Sequence, residues 1–390
     1  MIKFNGGKRM NRKIIYRRIL VLFLAVGIIS SVYVMDRYGI KETPENRQTE
    51  SSRENSRSVG RAAESGNIVS ANITDEPLIY PCGFQVGIYL ETNGVMIIGT
   101  DEVEGQDGLN HNPALNKVKA GDYITKVNDI DVSSKNQLMF LVNKYGNEDI
   151  ILTIYRNEKY IQVRIKPVQT GENQYKMGMW VRDDTQGIGT MTYLTGDGNY
   201  AALGHGISDI DTGELLDSEG GILYQANVWG IKKGEAGSPG ALYGMISYED
   251  NKILGNISEN TSIGIYGSVS EQEEARKMIE KYHLEPVEMA GHQEIETGKA
   301  YIRSFVSGEP CDYEVEIQKV NENSSKNKGI VLKVTDERLL NLTNGIVQGM
   351  SGTPILQNGK LIGAVTHVFV NDSTMGYGIF ADIMMEETGN

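Results

Sequence analysis

One serine in this sequence stands in a setting suited to nucleophilic chemistry. Ser351 lies in the run Gly-Met-Ser-Gly-Thr-Pro at positions 349–354, with one glycine two residues before it and another directly after it. A serine hydroxyl attacks a carbonyl only if a base removes its proton and hydrogen-bond donors stabilise the oxyanion that forms. A glycine at 349 permits the unusual φ of a tight turn and lets backbone approach closely. We therefore predict that Ser351 is the nucleophile and that the N–H groups of Gly349 and Ser351 form an oxyanion hole.

The base of such a site is usually a histidine, because its ordinary pKa lies near neutrality. The chain has five histidines, which are His111, His205, His283, His292 and His367. His205 follows the end of an apolar strand and precedes the serine in the chain, so we predict that it is the base. His367 lies on the strand after the nucleophile and is the alternative.

The serine run is close in form to the GDSGGP or GNSGGP loop of chymotrypsin-like serine proteases, in which the histidine also precedes the serine. Ser238, in the run Gly-Ser-Pro-Gly at 237–240, is a second serine beside glycine. A proline directly after it removes a backbone donor and stiffens the loop. That run therefore predicts a turn, and Ser351 remains the candidate nucleophile.

The composition predicts that mainly β elements position these residues. Glycine is abundant, at 45 of 390 residues, and proline is scarce, at nine, which favours turns and short strands. The apolar pattern predicts helices only at about 136–144 and 270–282. The two cysteines, Cys82 and Cys311, exclude a disulfide framework and a four-cysteine zinc site. They either pair outside the cytoplasm or stay as thiols, and we predict no metal and no cofactor.

The net charge of −13 combines two different regions. Residues 1–62 hold 13 Lys and Arg against five Asp and Glu, whereas the rest of the chain holds 25 against 46. An acidic body without a basic stripe excludes nucleic acid as a partner.

The basic N-terminal region flanks a run that is suited to a membrane. Residues 19–35 carry no charge and follow six cations, which predicts a transmembrane anchor at 1–35 with the bulk of the chain extracytoplasmic. A cleaved signal peptide is the alternative. The polar residues 36–74 predict a flexible tether.

The next segment, residues 75–168, resembles a PDZ domain. It contains short strands, the run AGDYITKVNDIDV at 120–132, a helix and two closing strands. The early loop stands where such domains bind a peptide carboxylate through backbone N–H groups. The predicted peptide-binding residues are Gly83, Phe84, Gln85, Val86 and Gly87.

Three runs carry a more specific resemblance. They are LGHGISDIDTGE at 203–214, GEAGSPGALYG at 234–244, and the run from GMSGTP to GYGIF at 349–380. They look like the stage IV sporulation protein B peptidase family, which implies an anchor, a tether, a PDZ domain and a chymotrypsin-like double β-barrel peptidase domain at 169–390. The resemblance also places the acid of the catalytic triad at Asp336. Asp336 lies 15 residues before Ser351, and this spacing alone does not indicate a triad acid. The structural alternative is that Asp336 is the N-cap of a short helix.

Asp209 and Asp211, close to His205, are the other candidates for the acid; Asp312 and Asp372 complete the carboxylates considered.

The resemblance implies a serine endopeptidase of the forespore membrane. Its partners would be its own N-terminal region and the regulatory subunit of a membrane metalloprotease complex, whose cleavage leads to processing of the late mother-cell sigma factor precursor. Two alternatives are an HtrA-like quality-control protease, whose PDZ domain normally follows the protease domain, and a non-catalytic PDZ tether with an inert protease-like domain.

Overall fold

The computed structural model describes residues 78–324 and 327–388, which belong to one compact unit. The predicted anchor and tether lie outside the described residues. Within 78–324 and 327–388, no helix is both long and apolar enough to cross a membrane.

The described residues form 22 strands, four α-helices and two short 3₁₀ helices. The strands of the first half are β1 (Ile79–Pro81), β2 (Gln85–Thr100), β3 (Val103–Glu104), β4 (Asn110–His111), β5 (Tyr123–Val127), β6 (Ile130–Asp131), β7 (Ile150–Arg156), β8 (Lys159–Ile165), β9 (Val168–Gly171), β10 (Gln174–Lys176) and β11 (Met179–Thr195). The strands of the second half are β12 (Asn199–Ala202), β13 (Ser218–Lys232), β14 (Ala241–Ile246), β15 (Ile253–Thr261), β16 (Gly264–Ser268), β17 (Gly298–Ser304), β18 (Cys311–Val320), β19 (Ile330–Val334), β20 (Pro354–Gln357), β21 (Lys360–Phe369) and β22 (Asp372–Phe380). The helices are α1 (Lys135–Tyr145), α2 (Gln272–Lys281), α3 (Glu337–Thr343) and α4 (Ala381–Glu386), and the 3₁₀ helices are Asp250–Lys252 and His292–Glu294.

Six antiparallel strands close the first barrel. The pairings run from β2 to β11, β12, β16, β15 and β13, and β13 pairs again with β2. Alternate side chains of these strands point inward, and the apolar ones belong to a buried core cluster that also includes residues of α2. The prediction of a mainly β protein is confirmed in this half.

Six strands also close the second barrel, in the order β17, β18, β19, β22, β21 and β20. The ring closes where β17 pairs with β20 at Tyr301 and Leu356. Its interior is apolar and includes Ile302, Val315 and Ile355. Ser351 lies in the turn that leads into β20, so the predicted nucleophile stands at the mouth of this barrel.

A small α/β subdomain, residues 95–182, is inserted into the first barrel. It contains the second half of β2, strands β3 to β10, helix α1 and the start of β11, and it has an apolar core of its own. Ser134 caps α1 by accepting a hydrogen bond from Gln137 N–H, so this helix begins at the predicted place. The predicted boundary at residue 75 is corrected, because β1 and the first half of β2 belong to the first barrel. Whether the subdomain is a PDZ domain stays a prediction.

Candidate functional site

Three of the four residues predicted for catalysis line one pocket. His205, Gly349 and Ser351 surround a cavity of about 490 Å³, together with residues of both barrels such as Ile188 and Val368. Asp336 is not among the residues of its wall. The structure therefore brings the predicted nucleophile, the predicted base and the predicted oxyanion donors to one place.

The two predicted oxyanion donors, the N–H groups of Gly349 and Ser351, have no acceptor among the described residues. In a trans peptide the N–H points opposite to the preceding C=O. The C=O of Gln348 accepts a 2.8 Å hydrogen bond from the N–H of Leu242, so the N–H of Gly349 points the other way. The C=O of Met350 accepts hydrogen bonds from the N–H and the hydroxyl of Thr353, which leaves the N–H of Ser351 free in the same manner. Within the described chain neither N–H has an acceptor, so both are available to a substrate oxygen.

Gly349 itself could not be replaced without disturbing this turn. Its φ is +98°, in the left-handed region that other residues rarely adopt. A Cβ there would also lie 3.1 Å from the Leu242 side chain on β14. The sequence-based reason for a glycine at this position is therefore confirmed.

The imidazole of His205 is held by the backbone. Its Nδ1 lies 2.9 Å from the carbonyl oxygen of Gly206, which can only accept, so Nδ1 carries the proton and Nε2 is left as the acceptor. This is the tautomer that a general base needs. Burial lowers the pKa of His205, and the bond to Gly206 opposes that effect only in part.

The hydroxyl of Ser351 donates a 2.9 Å hydrogen bond to the carbonyl of Thr366 on β21. In this state it is not hydrogen-bonded to His205. Catalytic hydrogen bonds often form only when substrate is bound. The Ser351 side chain must therefore give up the Thr366 carbonyl before His205 can take its proton.

His367 lies in the same pocket, and its ring centroid is 5.0 Å from that of His205. Burial, the neighbouring His205 and Lys328 lower the pKa of His367 to about 4. Both rings are therefore neutral at pH 7, and two adjacent imidazolium cations are avoided.

The comparisons with known proteins identify a peptidase family. Residues 173–385, more than half of the chain, match the SpoIVB peptidase S55 family. The chain belongs to this peptidase family. Its members are serine peptidases, and the match includes both His205 and Ser351.

Solved structures of two proteases also match the chain. An HtrA-type protease, AlgW, solved with a decapeptide, is 13% identical, with a TM-score of 0.29; the match covers 56% of this chain and 53% of that one. The chain thus spans about half of the length of that protease. An inactive serine-to-alanine mutant of the Rv3671c protease from M. tuberculosis H37Rv is 12% identical, with a TM-score of 0.26 and coverage of 51% and 79%. No curated protein matches in sequence.

The structure does not bring Asp336 together with His205. The Asp336 carboxylate caps α3 through the N–H of Arg338 and forms an ion pair with the Arg338 side chain, at 2.7 Å. It also accepts from the N–H of Glu314. The Arg338 side chain, together with these backbone donors, holds the pKa of Asp336 well below its usual range. The placement of Asp336 corrects the triad prediction in favour of the structural alternative, a helix N-cap.

The other predicted acids are also engaged elsewhere. Asp209 and Asp211 both pair with Arg182. Asp312 pairs with Arg303, and Asp372 bonds Thr374. Among the described carboxylates, none is hydrogen-bonded to His205, and the Gly206 carbonyl takes that place.

Ser238 and the two cysteines are not part of this site. Ser238 and Glu235 exchange backbone hydrogen bonds across a tight turn, as predicted. Cys82 is buried and Cys311 is partly buried, and they do not form a disulfide. Burial raises the pKa of the Cys82 thiol, which keeps it protonated.

The predicted peptide-binding loop has a different role. Gln85, Val86 and Gly87 lie within β2, which is paired with β11 on one side and with β13 on the other. Phe84 is buried in the first barrel, and a Cβ at Gly83 would lie 2.3 Å from the carbonyl oxygen of Arg303. No edge is left there for a peptide strand, so this prediction is corrected.

An unpaired strand edge lies instead beside α1, and the sequence reasoning missed it. Residues 175–183 run along this helix, because Tyr175 N–H donates to the Asn143 side chain and Lys135 N–H donates to the Asp183 side chain, both at 2.8 Å. Within the described residues, Met179–Arg182 pairs only with β2. Gly178, with a φ of +67°, marks the turn that opens this edge. The sequence feature that could have indicated this edge is the glycine between two methionines at 177–179.

Proposed function

We propose that this chain is a membrane-anchored serine endopeptidase. The observation that carries the proposal is the shared pocket of His205 and Ser351 with the two free N–H groups of the nucleophile turn. The family membership supports the same reaction class. The anchor is proposed from the basic flank and the uncharged run at 19–35.

In this proposal each group has a task. A substrate carbonyl binds with its oxygen between the N–H groups of Gly349 and Ser351, which stabilise the oxyanion as the bond forms. Nε2 of His205 takes the proton from Ser351 Oγ and returns it to the leaving amine. The Gly206 carbonyl holds Nδ1–H, so the imidazole keeps its orientation through both transfers.

We further propose that the substrates are proteins of a sporulation signalling pathway. They are the chain's own N-terminal region and the regulatory subunit of a membrane metalloprotease complex, and cleavage of the latter triggers processing of the late mother-cell sigma factor precursor. The family membership supports this role. The acidic body is consistent with an enzyme that acts on protein and not on nucleic acid.

An inert protease-like domain is the second candidate. The hydrogen bond from Ser351 Oγ to the Thr366 carbonyl favours it, because that serine is turned away from its base in this state. In that case the subdomain beside the barrels would tether a partner without cleaving it.

Self-cleavage of the full-length chain decides between the two. The purified chain is incubated in detergent beside Ser351→Ala, with Ser238→Ala as the matched control, and the fragments are identified by mass. We expect the unmutated chain and Ser238→Ala to release an N-terminal segment while Ser351→Ala stays intact. Equal cutting of all three chains, or no cutting of the chain or of any offered protein, would refute the peptidase proposal.

A further inference from the structure

The loop that carries the catalytic histidine is held from outside its own barrel. This histidine loop, residues 205–217, runs from the end of β12 towards β13. The α/β subdomain contacts it through Arg182, Gly121 and Tyr123. A loop on a catalytic residue is expected to move unless such contacts fix it.

Arg182 makes the strongest of these contacts. It lies on β11 where the strand leaves the α/β subdomain, opposite Met96 of β2. Its Nη1 donates to Asp209 and its Nη2 donates to Asp211 at 2.7 Å, so one guanidinium joins two carboxylates of the histidine loop. Because the guanidinium is planar and rigid, two such bonds fix geometry as well as charge.

The Asp209 side chain depends on Arg182. It is fully buried, and its Oδ1 accepts hydrogen bonds from the N–H groups of Asp211 and Thr212 at 2.9 Å each. Its other oxygen faces Arg182. Removing the guanidinium would leave the buried carboxylate with only the N–H groups of Asp211 and Thr212 as partners. An uncompensated buried charge is strongly destabilising, so we expect the group to move.

Two further contacts hold the far end of the same loop. The N–H of Asp217 donates to the hydroxyl of Tyr123 on β5, at 3.1 Å. A Cβ at Gly121 would lie 2.3 Å from the carboxylate of Glu214, so that glycine lets Glu214 lie against the backbone of the subdomain. The α/β subdomain therefore touches the loop near both of its ends.

The position of the histidine loop affects the orientation of His205 through Gly206. A Cβ at Gly206 would lie 2.3 Å from the Leu215 side chain and 2.3 Å from the Thr261 carbonyl oxygen. The next residue, Ile207, donates its N–H to Asn260 at 2.8 Å. Gly206 is thus enclosed by the loop and by β15, and it is the Gly206 carbonyl that orients His205.

We infer that Arg182 is a positioning residue of the catalytic site, which sets the orientation of His205 by holding the histidine loop against the α/β subdomain. The inference rests on the proposed peptidase function. It makes the subdomain a structural part of the working site, in addition to any peptide that it binds.

The test compares full-length variants of Arg182 with a control variant in which a matched ion pair elsewhere is removed. Arg182→Met keeps the aliphatic bulk and removes the guanidinium, and Arg182→Lys keeps one charge but cannot join both carboxylates. Arg303→Met is the control, because Arg303 makes a similar two-bond contact to Asp312, at 2.8 and 2.9 Å, away from the pocket. Because a misplacement of about 1 Å can cost about 100-fold in rate, we expect Arg182→Met to lower kcat by roughly 10- to 100-fold with little change in KM. The kcat of Arg182→Lys should lie between those of the unmutated chain and Arg182→Met. Arg303→Met should keep the kcat of the unmutated chain.

Hydrogen–deuterium exchange gives a readout that does not need activity. The N–H groups of Asp209, Gly213 and Leu216 are hydrogen-bonded within the histidine loop, and Arg182→Met should speed their exchange while the second barrel stays protected. Arg303→Met should leave the loop unchanged. A folded Arg182→Met with unchanged kcat and unchanged loop exchange would overturn the inference. If the unmutated chain has no activity that Ser351→Ala abolishes, the peptidase proposal fails by itself, and the exchange of the loop still decides the role of Arg182.

Discussion

The hydroxyl of Thr190 donates a 2.8 Å hydrogen bond to the carbonyl of Gly349. Thr190 belongs to β11 of the first barrel, whereas Gly349 belongs to the nucleophile turn of the second. The N–H of Thr190 also donates to the carbonyl of Ser351, at 3.0 Å. The turn that carries the nucleophile is therefore shaped by both barrels, and the site exists only when they are docked.

Removing the Thr190 hydroxyl tests this contact. Thr190→Val keeps the shape of the side chain but leaves the partly buried Gly349 carbonyl without its donor, so the turn should loosen and kcat should fall. Loss of a whole oxyanion donor costs about 100- to 1,000-fold, and we expect this indirect effect to be smaller, at about 10-fold. Steady-state hydrolysis of a peptide substrate measures it.

Thr192→Val is the matched control on the same strand. The Thr192 hydroxyl is buried without a hydrogen-bond partner among the described residues, so its removal should be neutral or stabilising. Equal losses of kcat in both variants would show that the Thr190 hydroxyl has no special role.

Gly349→Ala tests the oxyanion hole more directly. The added Cβ strains a residue whose φ is +98° and presses on Leu242, so the N–H of Gly349 should turn away from the pocket. We expect kcat to fall by about 100-fold or more while thermal unfolding shows a folded protein. Gly359→Ala, at a φ of +80° in an open turn, controls for backbone strain alone. Unchanged kcat in Gly349→Ala would exclude Gly349 as a donor.

The catalytic residues differ in how far the sequence could predict them. Ser351 and Gly349 share one short turn, so their types and spacing carry the chemistry. The prediction of His205 as the base depends on the small number of histidines that compete for the role. The orientation of His205 depends on Gly206, which has no side chain to recognise, and on Arg182, which lies in a distant strand. Such contacts between elements far apart in the chain leave no local pattern.

Asp336 offers a test of the triad prediction against the structure. Asp336→Asn keeps the helix-capping oxygen, so we expect kcat to change little, whereas loss of a triad acid would cost about 10⁴-fold in kcat. Asp336→Ala also removes the cap and should lower the free energy of unfolding by about 1 kcal/mol.

The pH dependence of the Asp336→Ala effect has a defined sign. Because the pKa of Asp336 is lowered in the folded state, the stability that its carboxylate contributes is present above the ordinary value of 3.8 and is lost as the pH falls below it. Denaturant unfolding should show that the difference in the free energy of unfolding between the unmutated chain and Asp336→Ala is smaller at pH 3 than at pH 7. A loss of several orders of magnitude in kcat for Asp336→Asn, at unchanged stability, would return Asp336 to the triad.

The pH profile of the reaction reports on His205. Burial lowers its pKa from 6.5, and the base must be neutral to act, so kcat/KM should rise with an apparent pKa below 6.5 and stay level through pH 7. His367→Gln removes the neighbouring ring and should leave this acid limb in place. An apparent pKa above 6.5 would contradict the buried, carbonyl-bound imidazole.

The fold was predictable where local pattern is strong. Helix α1 begins and ends within one residue of its prediction, because Ser134 and the apolar spacing mark it. The runs VGIYL at 86–90 and GVMIIGT at 94–100 are both predicted to belong to a PDZ domain. They form one strand, β2, whose first half lies in a barrel and whose second half lies in the inserted subdomain. Both halves are rich in buried residues and both pair with β11, so the sequence does not separate them. The first half also pairs with β13, whereas the second half also pairs with β5.

Covalent labelling tests the central claim, that Ser351 is an activated nucleophile. The full-length chain is treated with a fluorophosphonate, digested and mapped by mass spectrometry, beside His205→Gln. The account predicts that the label is found on Ser351, and that His205→Gln slows labelling because the serine then lacks its base. A label on another serine such as Ser238, or labelling of Ser351 at the same rate without His205, would contradict it.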